Sequence, residues 1–179
     1  MIEKDLYTLR IVTPEDDAAA IAGLIRRSFA TVAEQFGLTA KNCPMHPAFT
    51  TRASFEAFLS AGNQCFCLAR VQNAFGLARV QNFEPLLIGF AALVPVEKGI
   101  MELTRLCVAP EQRHSGHGTR LLDTAINTAR QSGAGKVIIG IINEHAALKN
   151  WYLAYGFREL KKKSYAHLPF VVCEMEYIL

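Results

Sequence analysis

Leu106-Cys107-Val108-Ala109-Pro110-Glu111-Gln112-Arg113-His114-Ser115-Gly116-His117-Gly118-Thr119-Arg120-Leu121-Leu122 runs from an apolar strand through a glycine-bearing loop into a helix. Glycines at 116 and 118 let a backbone approach a ligand closely and leave its N–H groups free. The helix start beyond them adds the positive end of a dipole. First turns of helices favour acidic residues. From Gln112 to Leu122 there is none, while Arg113, His114, His117 and Arg120 crowd the turn. Cations there oppose the dipole unless an anion sits among them, so the conflict marks a phosphate site. A bare glycine turn is the competing reading of the spacing alone. A P-loop would need a lysine after the glycines, and none follows. A dinucleotide loop would need GxGxxG after a first strand and an acid at the end of the next, and neither is present.

The elements on either side follow from periodicity. Tyr7 to Val12 reads as a first strand. Thr13-Pro14-Glu15-Asp16 reads as a helix start with Thr13 as N-cap. Ile21, Leu24, Ile25, Phe29 and Val32 give that helix its apolar stripe, which ends near Gly37. Two prolines make 42–47 a loop. Thr51 to Leu59 predicts a second helix. Strands follow over Cys65 to Val71, Leu86 to Val94 and Ile100 to Val108. Leu121, Leu122, Ala125, Ile126 and Ala129 mark a third helix, ending at Gly133. Lys136 to Ile142 reads as a strand buried on both faces. Ala147 to Tyr155 is a fourth helix closed by Gly156, and two closing strands flank Pro169. Leu68-Ala69-Arg70-Val71-Gln72-Asn73 recurs as residues 77–82. Two copies are too few for a solenoid, so residues 68–82 read as a duplication lengthening a hairpin or its loop.

Composition narrows the function classes. The 179 residues fit a single domain, 1–179, with 51% hydrophobic and 20% charged residues. A net charge of +3 without a dense basic stripe argues against nucleic acid as a partner. Lys161-Lys162-Lys163 reads as a solvated strand or turn. The N-terminus does not resemble a signal peptide. The longest apolar stretch, Leu86 to Val96, falls short of the about 20 residues a bilayer needs. Five cysteines, without CxxC, fit a reducing cytoplasm. Cys43, His46, His167 and Cys173 could in principle hold zinc, but proline-loop packing explains the first pair more simply, and no metal is expected.

Three motifs in series carry a family resemblance. Arg113-His114-Ser115-Gly116-His117-Gly118 resembles the R/Q-x-x-G-x-G/A signature of the GNAT N-acetyltransferases. Leu106-Cys107-Val108-Ala109-Pro110 looks like that family's L-x-V-x-P strand end. Trp151 to Phe157 resembles its Y-x-x-x-G-F element. The resemblance implies an α+β (α/β) domain with a mixed, mostly antiparallel sheet, flanked by helices and splayed at its centre between the strand ending at Val108 and Lys136 to Ile142. It implies acetyl-CoA as cosubstrate and no metal. Backbone N–H groups of Arg113, His114, Ser115, Gly116, His117, Gly118 and Thr119 would take the pyrophosphate. Leu106, Cys107 and Val108 would pair with the pantetheine arm, with the Val108 N–H a candidate donor to the thioester oxygen.

The same resemblance makes Tyr152 the acid that protonates the departing thiolate, since a phenol keeps its proton at pH 7. Tyr155 reads as core. Glu102 sits where several family members carry a basic glutamate. As Glu102, Thr104 and Leu106 share one face of a regular strand, it could point at the cleft. A solvent-facing structural role is the alternative. Where the family often has an asparagine seven residues before the tyrosine, this chain has His145. Asn143, His145 and Asn150 all stay open as coenzyme contacts. A covalent role for Cys107 is disfavoured by its apolar, mid-strand setting.

The expected activity is direct acetyl transfer to a primary amine, on a small molecule or a peptide, with no membrane partner. A homodimer is compatible with the sequence. The rival class is a non-catalytic sensor of acyl-CoA, or an interaction module, with the same fold. The acceptor pocket is expected from the first two helices and the 37–50 loop. Phe36, Phe49, Phe55 and Phe58 would either line it or fill the core.

Overall fold

The chain alternates strands and helices so that both faces of one sheet are covered near its centre. The structure, a computed structural model, describes residues 6–71 and 86–179. The second copy of the duplication and the proposed turn between the copies lie outside the described residues. The strands are β1 (Leu6–Ile11), β2 (Gln64–Val71), β3 (Leu86–Glu97), β4 (Ile100–Val108), β5 (Lys136–Ile142), β6 (Arg158–Ser164) and β7 (Val171–Ile178). The helices are α1 (Ala18–Gln35), α2 (Arg52–Ser60), α3 (His117–Gln131) and α4 (Ala146–Tyr155). The seven strands form one sheet in the order β1-β2-β3-β4-β5-β7-β6. Leu68 to Arg70, in the first copy of the duplication, pair with β1 on one side and β3 on the other.

Every neighbouring pair in the sheet is antiparallel except β4–β5. That parallel pairing covers only Ile100–Lys136, Met101–Val137 and Glu102–Ile138. Beyond Glu102 the two strands part, so the sheet is splayed as expected, and the gap runs along β4 to Val108.

Two apolar layers sandwich the sheet. On one face α1 and α2 bring Ile21, Leu24, Ile25 and Phe55 onto Cys65, Cys67, Phe90 and Cys107. On the other, Leu121, Leu122, Ala125 and Ile126 of α3 pack against Phe66, Leu68, Leu93, Val137 and Ile139, and Tyr152 of α4 joins the same cluster. Close approach explains Gly89: a Cβ there would lie 2.7 Å from Leu121 Cδ1. A third, smaller cluster joins Ala33, Leu38 and Cys43 to Ile142, with Phe36, Phe49, Leu168 and Phe170 at its edge.

Three expectations change. Helix α1 does not start at Thr13. Its N-cap is Asp17, whose carboxylate accepts from the N–H groups of Ala19 and Ala20 at 2.8 and 3.0 Å. Asp16 is committed to an ion pair with Arg10 of β1 and also accepts from the Thr13 N–H at 2.7 Å. Residues 13–16 therefore form a turn, and the helix waits for the next free acid.

Second, β5 is not buried on both faces. Val137, Ile139 and Ile141 are buried on one face; on the other, Ile138 is half-buried, Gly140 is exposed and only Ile142 is buried. Helices α1 and α2 cover β2 to β4, and the end of α1 reaches only Ile142 at the end of β5, which leaves that side open at Gly140. Third, β4 is not a regular strand. Phe90 pairs with Cys107 but Ala92 pairs with Thr104, so Arg105 and Leu106 together oppose Ala91. This is a β-bulge of one extra residue. It moves Leu106 to the α3 face, where it packs on that cluster, while Glu102 stays on the α1/α2 face. The expectation that Glu102 and Leu106 share a face fails for this reason.

Candidate active site

The splay leaves a cleft whose parts come from four elements. On β4, the Ala109 N–H donates to Ile88 O at 2.8 Å. Hydrogen bonding alternates along an antiparallel strand. Val108, opposite Gly89, therefore turns its N–H and C=O away from β3 and toward the gap. Its carbonyl accepts from Arg113 Nε at 3.2 Å.

The loop between β4 and α3 ends at Gly116, the N-cap of α3, which has φ +78° and makes no side-chain cap. A left-handed φ suits glycine, and a Cβ there would meet nothing within 4 Å. Thus the first turn of α3 keeps open donors: among the described residues the N–H groups of His114, Ser115, Gly116, His117, Gly118 and Thr119 have no backbone acceptor. His114 is also left-handed, at φ +63°. No acid lies in the first turn. An anion fits this arrangement, because a side-chain cap is absent where one would ordinarily satisfy these donors.

Arg113 has another task. Its Nη2 donates to Ser28 O at 2.6 Å and its Nη1 to Thr31 Oγ1 at 3.2 Å, so the guanidinium ties the loop to α1 and to Val108. Its own N–H donates to Pro110 O at 3.4 Å. Arg113→Ala leaves those acceptors without their partner. It should cost about 1.5–3 kcal/mol, the usual worth of a hydrogen bond to a charged group. Urea denaturation measures it, and a loss under 0.5 kcal/mol, on the order of a neutral surface change, would contradict the strut.

His117 is not the cation its position suggested. It is buried, its ring lies 4.5 Å from that of Tyr7, and neither ring nitrogen has a partner among the described residues. Burial first, then Arg120, holds its pKa below the ordinary value. Gly118 has a packing reason as well: a Cβ there would sit 3.6 Å from Trp151 of α4 and 3.9 Å from Val108. The first turn of α3 thus lies close against α4 and the end of β4.

On α4, Tyr152 is buried, its ring 4.8 Å from Trp151 and 5.2 Å from Phe157. Burial raises its pKa well above the ordinary phenol value. Tyr155 is half-buried, and its hydroxyl donates to Asp123 at 2.6 Å. Of the two tyrosines, only Tyr152 has a hydroxyl with no partner among the described residues. The asparagine-or-histidine question gains geometry. His145 is the N-cap of α4, its Nδ1 accepting from the Leu148 N–H at 3.3 Å. Asn143 Oδ1 accepts from Lys149 Nζ at 3.1 Å. Asn150 is exposed.

On the opposite face Glu102 is half-buried, and its carboxyl is pushed above the ordinary value by burial; Arg105 pulls it back and Glu174 adds to the rise. By register Glu102 faces Ile138, and Gly140, two residues on, faces Glu174. These positions therefore share the open face of β5 and β7. Cys107 is buried and its thiol is pushed up to about 12, mainly by burial, which suits packing rather than nucleophilic attack. All five cysteines are free and buried. Phe55 is core, at 1% exposure. Phe36 and Phe49 edge the third cluster, and Phe58 meets a residue that sequence reasoning missed, Arg105. Among the described residues no three His, Cys, Asp or Glu side chains group to hold a metal ion, and no helix is long and apolar enough to cross a membrane.

Solved structures share this fold. The ribosomal-protein-S18-alanine N-acetyltransferase from Escherichia coli matches with a TM-score of 0.66 at 18% identity, over 97% of this chain and 94% of that one. PaiA N-acetyltransferase from Thermoplasma acidophilum, solved in complex with coenzyme A, gives 0.69 at 16% identity, over 97% and 99%. An acetyltransferase of the GNAT family from Streptococcus pneumoniae gives 0.67 at 17% identity, over 97% and 99%. Among curated protein sequences none matches this one. The model of the acetyltransferase (GNAT) family matches residues 36–157, from the end of α1 through the Gly156-Phe157 pair. With more than half of its length matched, over a span that includes the splayed strand and the tyrosine-bearing helix, this chain belongs to the GNAT acetyltransferase family.

Proposed function

We propose that the protein transfers the acetyl group of acetyl-CoA to a primary amine by direct attack. One observation carries this reading: the gap beyond Glu102 has a turned-in Val108 N–H on β4, the open donors of the 114–119 loop just after that strand, and a buried, unpartnered phenol on the helix packed against that loop. Bound acetyl-CoA supplies an activated thioester. His114, Ser115, Gly116, His117, Gly118 and Thr119 hold its pyrophosphate through their N–H groups, and Arg113 keeps the loop in place. Leu106, Cys107 and Val108 present the β4 edge to its arm, with the Val108 N–H placed to donate to the carbonyl oxygen, where charge develops. Tyr152 carries the proton for the thiolate. Burial that raises its pKa keeps that proton on until it is needed. Glu102 takes the proton from the acceptor ammonium, directly or through water. Asn143, His145 and Asn150 border the arm from the β5–α4 side. Five free cysteines accord with a reducing compartment.

A thiol-release assay over a panel of primary amines tests the reading, alongside titration with coenzyme A. Turnover together with coenzyme binding supports the enzyme. Binding without turnover on every amine leaves a sensor of the same fold.

Glu102 makes the pH dependence specific. A base works only when ionised, and burial raises this carboxyl above its ordinary value of 4.5. The acid limb of kcat/KM should therefore lie above pH 4.5, and Glu102→Gln should lower kcat/KM by about 100-fold or more. Stability should move the opposite way. The folded state binds this proton more tightly than the unfolded one, so ionisation costs stability as pH rises from 4.5 through the raised value. Glu102→Gln should therefore melt above wild type at pH 7, the difference closing toward pH 4. An unchanged pH–rate profile in the variant would remove Glu102 from the chemistry.

A further inference from the structure

Arg105 sits at the β4 bulge with a left-handed φ of +54°, a strained conformation for a residue with a side chain. That backbone aims the side chain over the Phe58 ring of α2, with the guanidinium carbon 3.7 Å from the ring centroid. Its Nε is buried and has no hydrogen-bond partner. No carboxylate among the described residues forms an ion pair with it, whereas Arg10, Arg52 and Arg158 each have one. The fold therefore places a planar, permanently charged group with unmet donors on the α1/α2 face, beside the splay. Leaving a buried charged donor unpaired is costly, and a guanidinium fork matches a carboxylate in two parallel bonds. Burial holds the guanidinium below its ordinary pKa, with Cys65 and Glu102 pulling the other way, so no neighbour neutralises it fully.

The same face carries Glu102, three positions before Arg105 on β4, which has no ion pair among the described residues, and beyond it Glu174, which is paired with Lys161 at 3.1 Å. A cation suits Glu102 and an anion suits Arg105. We infer that the acceptor is a small amine that also bears a carboxylate, of the free amino acid class, with its carboxylate on Arg105 and its amino group toward Glu102. This rests on the acetyl-transfer reading above and narrows its substrate. Phe58 braces the guanidinium from behind, which orients the fork before substrate arrives.

The test uses the full chain with free L-amino acids and their matched α-carboxamides, which differ only in the anionic group. Thiol release should favour the carboxylates by about 10- to 100-fold in kcat/KM. Arg105→Gln should reduce that preference to about two-fold or less, with the Kd for coenzyme A unchanged. Arg105→Lys should keep part of it, because the charge stays and the fork is lost. Should Arg105→Gln not fold, Arg105→Lys and Phe58→Leu carry the comparison. Equal use of acids and amides by wild type, or a preference that survives Arg105→Gln, overturns the inference. Calorimetry separates it from the broader reading. Arg105-dependent binding of amino acids with no turnover on any amine would support the carboxylate site and overturn acetyl transfer. Turnover without Arg105-dependent selectivity would do the reverse, and amino acids that neither bind nor react would overturn the carboxylate site.

Discussion

Tyr152→Phe should lower kcat by about 100- to 1,000-fold, within the range that a positioned general acid contributes, while the Kd for coenzyme A stays within about two-fold. The change removes one oxygen and keeps the ring. The ring's contacts with Trp151 and Phe157 survive, so the melting temperature should hardly move. No described residue loses a hydrogen bond when the hydroxyl goes. Tyr155→Phe is the contrasting variant. It breaks the 2.6 Å bond to Asp123, which costs about 0.5–1.5 kcal/mol or somewhat more because the acceptor is charged, and should leave kcat nearly intact. Steady-state kinetics by thiol release decide between them. If the two variants lost equal activity, the proton would come from elsewhere, and Tyr152 would be a packing residue.

Phe90→Ala should cost about 3–5 kcal/mol of folding stability, the usual toll for emptying a buried aromatic site. Phe90 is fully buried and stacks edge-on to Phe55 at 5.6 Å. It lies opposite Cys67 on β2 and Cys107 on β4, so it joins three strands and α2 just where β4 bulges. A domain of ordinary stability has only about 5–15 kcal/mol in hand, so much of the total would go. Met45→Ala, at 87% exposure, should change stability by about 0.5 kcal/mol or less. Urea titration of both, with equal m-values, measures the difference. A Phe90→Ala loss near that of Met45→Ala would mean that the sheet and α2 are not one cooperative unit.

How much of this could be read from the amino acids differs from element to element. Helix α3 and strand β5 are legible because their evidence is local: apolar residues at helical spacing behind a glycine loop, and a β-branched run between turns. The open donors of 114–119 are legible for the same reason, since no acid in the first turn is a fact about neighbours. The family motifs then place Tyr152. What failed depended on partners distant in the chain. Thr13 had every local sign of a cap, but Asp16 was claimed by Arg10 and Asp17 capped the helix instead. The apolar run of β5 could not say that α1 and α2 leave most of one side uncovered and reach only Ile142.

The amino acids alone determined the order of elements and the anion-ready helix start, because periodicity and turn chemistry act within a few residues; the splay was an implication of the family resemblance. Tertiary structure decided which face each β4 side chain takes. One extra residue opposite Ala91 sends Leu106 to α3 and Arg105 to Phe58, and no spacing rule anticipates a bulge set by the neighbouring strand. It also decided the work of Arg113, whose contact with Ser28 spans 85 positions in the chain. The opening stretch by itself marked a helix start without a side-chain cap or an acid in its first turn, an arrangement that suits an anion. That Arg113 braces this loop and that His117 is buried was decided only when α1 and β1 folded against it.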